Sequence, residues 1–278
     1  MGAPLDTEPS DPGGPITVTT TARPHPGTRA RAVLALCGAV AVGATATACG
    51  SDVSHAPVRE HTFAFSGRKL TVDADDSGVR VVPGDVTGVR VRRQVGGWVF
   101  LGSGPDASWR LAGDTLTLRV TCSGLAADCD ARHTVTVPRD VAVTVRSGNG
   151  AVTASGFRTA VSVRTSNGSA EVRDSSGPVS LSSRNGSVTG TGLTGGKATA
   201  RSSNGAVSLG FSTVPDDVEA VSHNGRIRIS LPKGRTAYAV DAGSGNGRTD
   251  VGVPRDDASP HAVKAHAANG GVSVRAAN

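Results

Sequence analysis

Three pairs of adjacent carboxylates, Asp75-Asp76, Asp216-Asp217 and Asp256-Asp257, are the groups in this chain best suited to acid–base work. Glycoside hydrolysis needs two carboxylates facing one groove. Neighbours on a strand point to opposite faces, and each pair sits at a turn marked by Gly or Pro, so turn chemistry accounts for all three. A lyase needs a basic proton acceptor. His223 and Lys197 could serve, but no constellation converges on either. His261 and His266 are five residues apart, and opposite parity puts them on different faces, which argues against a shared metal. The many Ser residues are turn formers, and no Gly-x-Ser-x-Gly elbow precedes a helix. The expectation is a protein that is not an enzyme, with no catalytic residue, no metal and no cofactor.

The elements around these residues are set by one recurring dipeptide. Asn-Gly returns at Asn149, Asn167, Asn185, Asn204, Asn224, Asn246 and Asn269, in steps of 18, 18, 19, 20, 22 and 23 residues. Apolar residues keep phase with it. Val143 and Val145, Val161 and Val163, and Val179 and Leu181 precede the turn; Val152, Val188, Val207 and Ile227 follow it. Both sides alternate apolar with polar, the period of half-buried strands. Each repeat therefore reads as strand, Asn-Gly turn, strand and second turn.

Two architectures fit such a unit. Asn-Gly favours a type I′ hairpin, so the repeats could form an antiparallel meander or barrel. Alternatively each repeat is one coil of a β-solenoid, with equivalent strands stacked in parallel. Identical turns at nearly equal steps favour the solenoid, all-β and built of coils of about 18–23 residues. The seven Asn side chains would then bond from coil to coil in a ladder. Two look-alikes fall away in this frame. Asn167-Gly168-Ser169 and Asn185-Gly186-Ser187 match a glycosylation sequon by accident of the repeat, and Gly243 to Gly247 is a turn rather than a phosphate cradle.

The N-terminal part reads differently. Residues 1–30 are rich in Pro, Gly and Thr and carry the composition of a disordered lead. Arg29 and Arg31 precede an apolar run, Ala32 to Ala44, too short for a span and suited to a secretory signal. It ends in Ala46-Thr47-Ala48-Cys49-Gly50-Ser51-Asp52, which resembles a bacterial lipobox, although Ala46 stands where Leu is usual. That resemblance implies a diacylglyceryl group on Cys49 and a signal peptide over residues 1–48. Ordinary cleavage after Ala48, leaving Cys49 a free thiol, is the alternative. Either leader exports the chain. Cys122 and Cys129, seven apart around Ser123 to Asp128, then read as a disulfide. A metal there would draw on Asp128, Asp130 and His133, whose spacing matches no known site.

Composition is consistent with this frame. The chain has 37 Gly and only 3% aromatic residues, which suits a narrow, turn-rich β core. Net charge is +6. Its arginines are scattered along strands without interleaved aromatics, which argues against nucleic acid as a partner. Phe63, Phe65, Trp98, Phe100 and Trp109 crowd into residues 60–110 and read as buried packing of an N-terminal cap; stacking of Trp98 and Trp109 on sugar rings is the functional alternative.

The leader resembles those of actinobacterial lipoproteins. Residues 135–152, from Val135 through Asn149-Gly150 to Val152, and the repeats after them resemble a bacterial β-strand-repeat family of unknown function that carries an adhesin label. The resemblance covers about residues 60–278. It implies a β-helix-like fold on the cell surface and no catalytic residues. The expected layout is a signal peptide with disordered lead over 1–48, a lipid tether over 49–58, a β cap over 59–140 and the repeat solenoid over 141–278. The expected place is the outer face of the cytoplasmic membrane, with the lipid anchor as the membrane contact. The expected role is a structural or adhesive module that meets anionic cell-wall polymer or an envelope protein through a face bearing Arg164, Arg173, Arg184, Arg201, Arg226 and Arg228. A sensor lipoprotein serving a membrane-bound regulator and a polysaccharide-active enzyme are the alternatives.

Overall fold

The computed structural model describes residues 53–277. The expected signal peptide and Cys49 lie outside them. A 3₁₀ turn at Val53–His55 leads into strands β1 (Arg59–Ala64), β2 (Lys69–Ala74), β3 (Gly78–Gly84), β4 (Gly88–Ala112) and β5 (Thr115–Pro138). The repeats follow as β6 (Ala142–Ser147), β7 (Val152–Ser155), β8 (Val161–Thr165), β9 (Ala170–Arg173), β10 (Val179–Ser183), β11 (Val188–Leu193), β12 (Lys197–Ser202) and β13 (Val207–Phe211). The last are β14 (Asp217–Asn224), β15 (Ile227–Leu231), β16 (Ala239–Asn246), β17 (Thr249–Gly252), β18 (Ala262–Asn269) and β19 (Val272–Ala276).

Strands before each Asn-Gly stack in parallel as one sheet, β2-β6-β8-β10-β12-β14-β18-β16. Strands after it stack as the second, β3-β7-β9-β11-β13-β15-β19-β17. The fold is therefore a β-solenoid, and the antiparallel meander is excluded for the repeats. Among the described residues, antiparallel pairing is confined to β1 with β4 and β4 with β5.

The Asn-Gly dipeptides turn corners between the sheets rather than close hairpins. A type I′ turn needs positive φ at both residues; here no repeat Asn has it, and of the repeat glycines only Gly270 does. Glycine is needed for a different reason. A Cβ on Gly168 would meet the carbonyl oxygen of Gly150, one on Gly186 that of Gly168, and one on Gly205 that of Gly186. The coils approach more closely at this corner than any side chain allows.

Between the sheets the two inner faces compensate in volume, as close packing demands. Val179 and Leu181 share their coil with Val188 and Gly190, whereas Ala198 and Ala200 share theirs with Val207 and Leu209. A Cβ on Gly190 would lie 2.9 Å from Leu193 and 3.0 Å from Leu209. Phe157, Leu193, Phe211 and Leu231 fill the core at the far corner, each buried.

Chain order and stacking order part company at both ends. β18 pairs with β14 on one side and β16 on the other, and β19 lies likewise between β15 and β17. The last coil in sequence is thus inserted between its two predecessors. The longer steps of 22 and 23 residues supply the connections that skip a level and return. At the other end β5 lies outside β2 and β3, pairing β2 through Thr115 to Leu118 and β3 through Arg132 to Pro138. β2 and β3 form a regular coil inside the segment read as a cap, so the solenoid begins before residue 141.

Candidate functional site

Every corner is bound to the next by side chains. Asn167 Nδ2 donates to Asn149 Oδ1 at 2.6 Å, and the same bond recurs from Asn185 to Asn167 at 2.7 Å. It continues at 2.8 Å from Asn204 to Asn185, Asn224 to Asn204, Asn269 to Asn224 and Asn246 to Asn269. The ladder follows stacking order, so Asn269 precedes Asn246. Asn149 Nδ2 donates at 2.5 Å to Asp76, a carboxylate that can only accept and so ends the ladder.

A second ladder runs just inside the first. Ser183, Ser202 and Ser222 donate to the carbonyls of Gly168, Gly186 and Gly205 at 2.9, 3.0 and 3.0 Å, and Ser244 to Gly270 at 2.7 Å. Its sequence signal is a hydroxyl residue two before the Asn, present in every repeat but the one with Ala267. Only the Asn ladder is expected from the repeat, and the hydroxyl ladder is an addition to it. Asn185→Ala breaks two exposed ladder bonds, one donated to Asn167 and one accepted from Asn204, and should cost about 1–2 kcal/mol, measured by urea unfolding. Ser202→Ala should cost about 1 kcal/mol, because it removes the hydroxyl that satisfies the half-buried Gly186 carbonyl.

The six arginines expected on one face lie on two. Residues before and after the corner belong to different sheets, so Arg164 and Arg201 belong to β8 and β12 and Arg173 and Arg228 to β9 and β15. Two are already neutralised, Arg173 by Glu171 at 2.6 Å and Arg201 by Glu219 at 2.7 Å. Arg146 is a better candidate than either. It lies in register beside Arg164, both are exposed, and neither has an ion-pair partner among the described residues. Like charges on adjacent strands repel. Beside them runs a row of outward hydroxyls, Thr144, Ser162, Ser180 and Thr199, also in register. Arg184, Arg201, His223 and His266 line a shallow groove further along this sheet. On the second sheet Arg226, Arg228, Arg248 and Arg275 line another, with Arg275 bonded to Asp250 at 2.6 Å.

The acid–base candidates are dispersed. Asp75 pairs with Arg119 at 3.0 Å while Asp76 caps the Asn ladder. Asp256 accepts the backbone N–H of Ala258 in its own turn at 2.9 Å. His261 bonds the Pro215 carbonyl at 2.9 Å and His266 meets Asp241 at 3.1 Å. No group of three metal-ligating side chains gathers among the described residues.

The cap carries the least expected feature. Residues 75–77 suffice to join β2 to β3, whereas residues 119–131 separate the two corresponding stretches of β5. The excess loops outward together with β4, whose Gly96 to Ser103 pairs with Asp130 to Ser123. Cys122 and Cys129 are joined by a disulfide and their Cα atoms are 6.5 Å apart, so β5 doubles back and the two-stranded ribbon forms an arch. Trp98, Phe100, Leu101 and Leu125 stand on the arch with 48, 58, 69 and 81% of their surface exposed. This corrects the reading of the cap aromatics as uniformly buried: the insertion lifts Trp98 and Phe100 away from the core. Trp109 does pack, under the Arg93 guanidinium at 3.9 Å and stacked on His61 at 5.9 Å. Leu101 holds φ at 49°, a left-handed conformation that costs a leucine about 1–2 kcal/mol.

Beneath the arch lies His133, fully buried between the sheets with neither ring nitrogen hydrogen-bonded. Burial, and then the charge of Arg93 beside it in the ladder, lowers its pKa to about 4. The ring is neutral at ordinary pH.

The family model described as Toastrack DUF4097 matches residues 121–278. No curated protein matches the chain. A solved structure, of a "putative cell adhesion protein" from Clostridium sporogenes ATCC 15579, aligns at 10% identity over 80% of this chain and 100% of its own, with a TM-score of 0.34. A superposition that loose bears on neither fold nor role.

Proposed function

The chain belongs to the Toastrack DUF4097 family, and we propose that it is a cell-surface structural or adhesive module whose β-solenoid binds anionic envelope polymer. In this reading a lipid on Cys49 holds it at the outer face of the cytoplasmic membrane. The observation that carries the reading is the in-register pair Arg146 and Arg164, two exposed like charges with no ion pair among the described residues, beside a row of hydroxyls; Asp73, in register on the other side of Arg146, is held by Arg119 at 3.4 Å. Parallel strands repeat about every 4.8 Å, so a linear polymer lying along the stack meets a hydroxyl at four successive steps, from Thr144 to Thr199, and a guanidinium at two of them, Arg146 and Arg164. An anion bridging the two guanidiniums relieves their repulsion and gains charge-assisted hydrogen bonds. The open groove of Arg226, Arg228 and Arg248 offers a second, parallel track.

The test is binding of anionic cell-wall polymer to the detergent-solubilised chain at low and high salt. Replacing Arg146 and Arg164 together with Ser should weaken binding about tenfold, roughly 1.4 kcal/mol. High salt should abolish the parent's binding, since these charges are exposed. Unchanged affinity in the double variant would sink the reading. Capture of one protein that resists salt would favour a sensor lipoprotein, and sugar turnover an enzyme.

A further inference from the structure

We infer that the disulfide-pinned arch is a second membrane contact, which sets Trp98, Phe100, Leu101 and Leu125 into the headgroup–acyl boundary of the bilayer. The inference rests on the reading that the N-terminal segment holds the chain at a membrane.

Four observations select lipid over a protein partner. First, the four side chains are the most exposed large apolar groups of the described chain apart from Val58, and they gather on one projection. Large apolar side chains left exposed together on one projection mark an interaction site. Second, no charged residue occurs in residues 95–105 or 120–127; Asp106, Asp128 and Asp130 flank these stretches, with Asp128 opposite Trp98 where the arch meets its root. A protein-binding patch is ordinarily rimmed by charge, whereas interfacial insertion is obstructed by it. Third, the chain joins the fold at this root. Val53 is buried against Gly96, and Gln94 Nε2 donates to the Ala56 carbonyl at 3.1 Å. Cys49 stands only Gly50, Ser51 and Asp52 ahead of Val53, so a lipid on Cys49 would hold the root of the arch close to the bilayer. Fourth, the composition is that of an interfacial anchor, with an aromatic indole beside aliphatic groups.

The depth is bounded by the backbone. Antiparallel pairing from Gly96 to Ser103 satisfies only the inward-facing amides of the ribbon. The outer edges still need water or headgroup partners, so the tip sits at the interface and not in the hydrocarbon centre. Leu101 is kept in a left-handed conformation that glycine would adopt without cost. A large apolar side chain is retained at the position where backbone geometry least favours it, which fits a role for that side chain outside the fold.

The experiment uses the full chain with Trp109→Phe, which leaves Trp98 as the sole indole. It is mixed with vesicles of phosphatidylglycerol and phosphatidylethanolamine carrying brominated acyl chains. Trp98 emission should shift to the blue, be quenched by bromine and lose access to acrylamide. Should that variant fold poorly, the difference spectrum between the parent and Trp98→Phe reports the same indole. Chain in the pellet with Trp98 unshifted and open to acrylamide would overturn the tip contact while leaving the anchor in place. Chain in the supernatant would overturn it outright. Shielding of Trp98 that grows with protein concentration in the absence of vesicles would overturn it in favour of a second copy of the chain. Polymer binding is assayed without vesicles, so the two proposals fail separately.

Discussion

Gly186→Ala should remove about 3 kcal/mol of stability, close to half of what a modest domain possesses. The added methyl has nowhere to go. It points at the Gly168 carbonyl and lies 3.0 Å from Ser183 Oγ. A flexible side chain could swing away, but the obstacle is backbone, held by the Ser183 hydroxyl and by the stacking of β8 on β10. Relief would require the coils to separate at this corner, which stretches the Asn167–Asn185 bond and the strand ladders on either side. Gly210→Ala is the control. Its Cβ would meet the nearest atom, the Gly190 carbonyl oxygen, at an ordinary 3.7 Å, and its φ is not positive. Loss of chain entropy in the unfolded state should leave it neutral or more stable by about 0.5 kcal/mol. Urea unfolding followed by circular dichroism separates the two; a cost below about 1 kcal/mol for Gly186→Ala would mean that the coils are not in such contact. Because neighbouring coils are coupled one to the next, the transition of the variant should broaden as the stack loses cooperativity at its middle.

The second large effect is acid sensitivity centred on His133. Its folded pKa is about 4 against an ordinary value of 6.5. Between those values the unfolded chain takes up a proton that the folded chain refuses, so stability falls as pH falls. The contribution is intact above about pH 6.5 and is lost progressively down to about pH 4, amounting to about 3 kcal/mol. Below that the group adds no further slope. His133→Val preserves a β-branched, apolar occupant in line with Val135 and Val137 and removes the proton site. The stability difference between variant and parent should then widen by about 3 kcal/mol as pH drops through this window. Nearby carboxylates titrate alike in both proteins and cancel in the difference. A difference independent of pH would place the imidazole in contact with water. Arg93 sharpens the effect, since a protonated His133 would lie beside a guanidinium already fixed over Trp109 and donating to the Ala107 carbonyl at 2.6 Å.

How much of this was legible in the residues follows from what each signal measures. Alternation around Asn-Gly reports which side chains face inward, and the inner faces of β6 to β15 match it. Equal spacing reports stacking, and the ladder from Asn149 to Asn224 follows. Cys122 and Cys129 were paired from separation and compartment, and they are bonded. Alternation does not report which coil lies on which. Every coil offers the same pattern of Val, hydroxyl and Asn, so β18 fits against β14 as well as β16 would. Only the longer steps at Asn246 and Asn269 differ. The arginines were grouped by exposure, yet a corner separates Arg164 from Arg173, and sequence distance does not reveal which side of it each occupies. Trp98 misled for another reason. Hydrophobicity predicts burial on average, but a ten-residue stretch that outgrows its coil has no core to enter.

The interchange of the last two coils bears on how the molecule can be made. A chain leaving the ribosome can lay down coil after coil as far as β15. The next two strands, β16 and β17, then have no stacking neighbour at all, since β16 pairs with β18 and β17 with β19. They must wait, unassembled, until β18 and β19 have been made and slide between them and the growing stack. In an ordinary solenoid a truncated product is simply a shorter solenoid. Here, loss of Ala262–Ala276 would leave a bare edge at Asn224 and a displaced pair of strands open to proteases. Residues Ala262–Ala276 thereby hold β16 and β17 to the stack, and without them neither strand has a sheet partner.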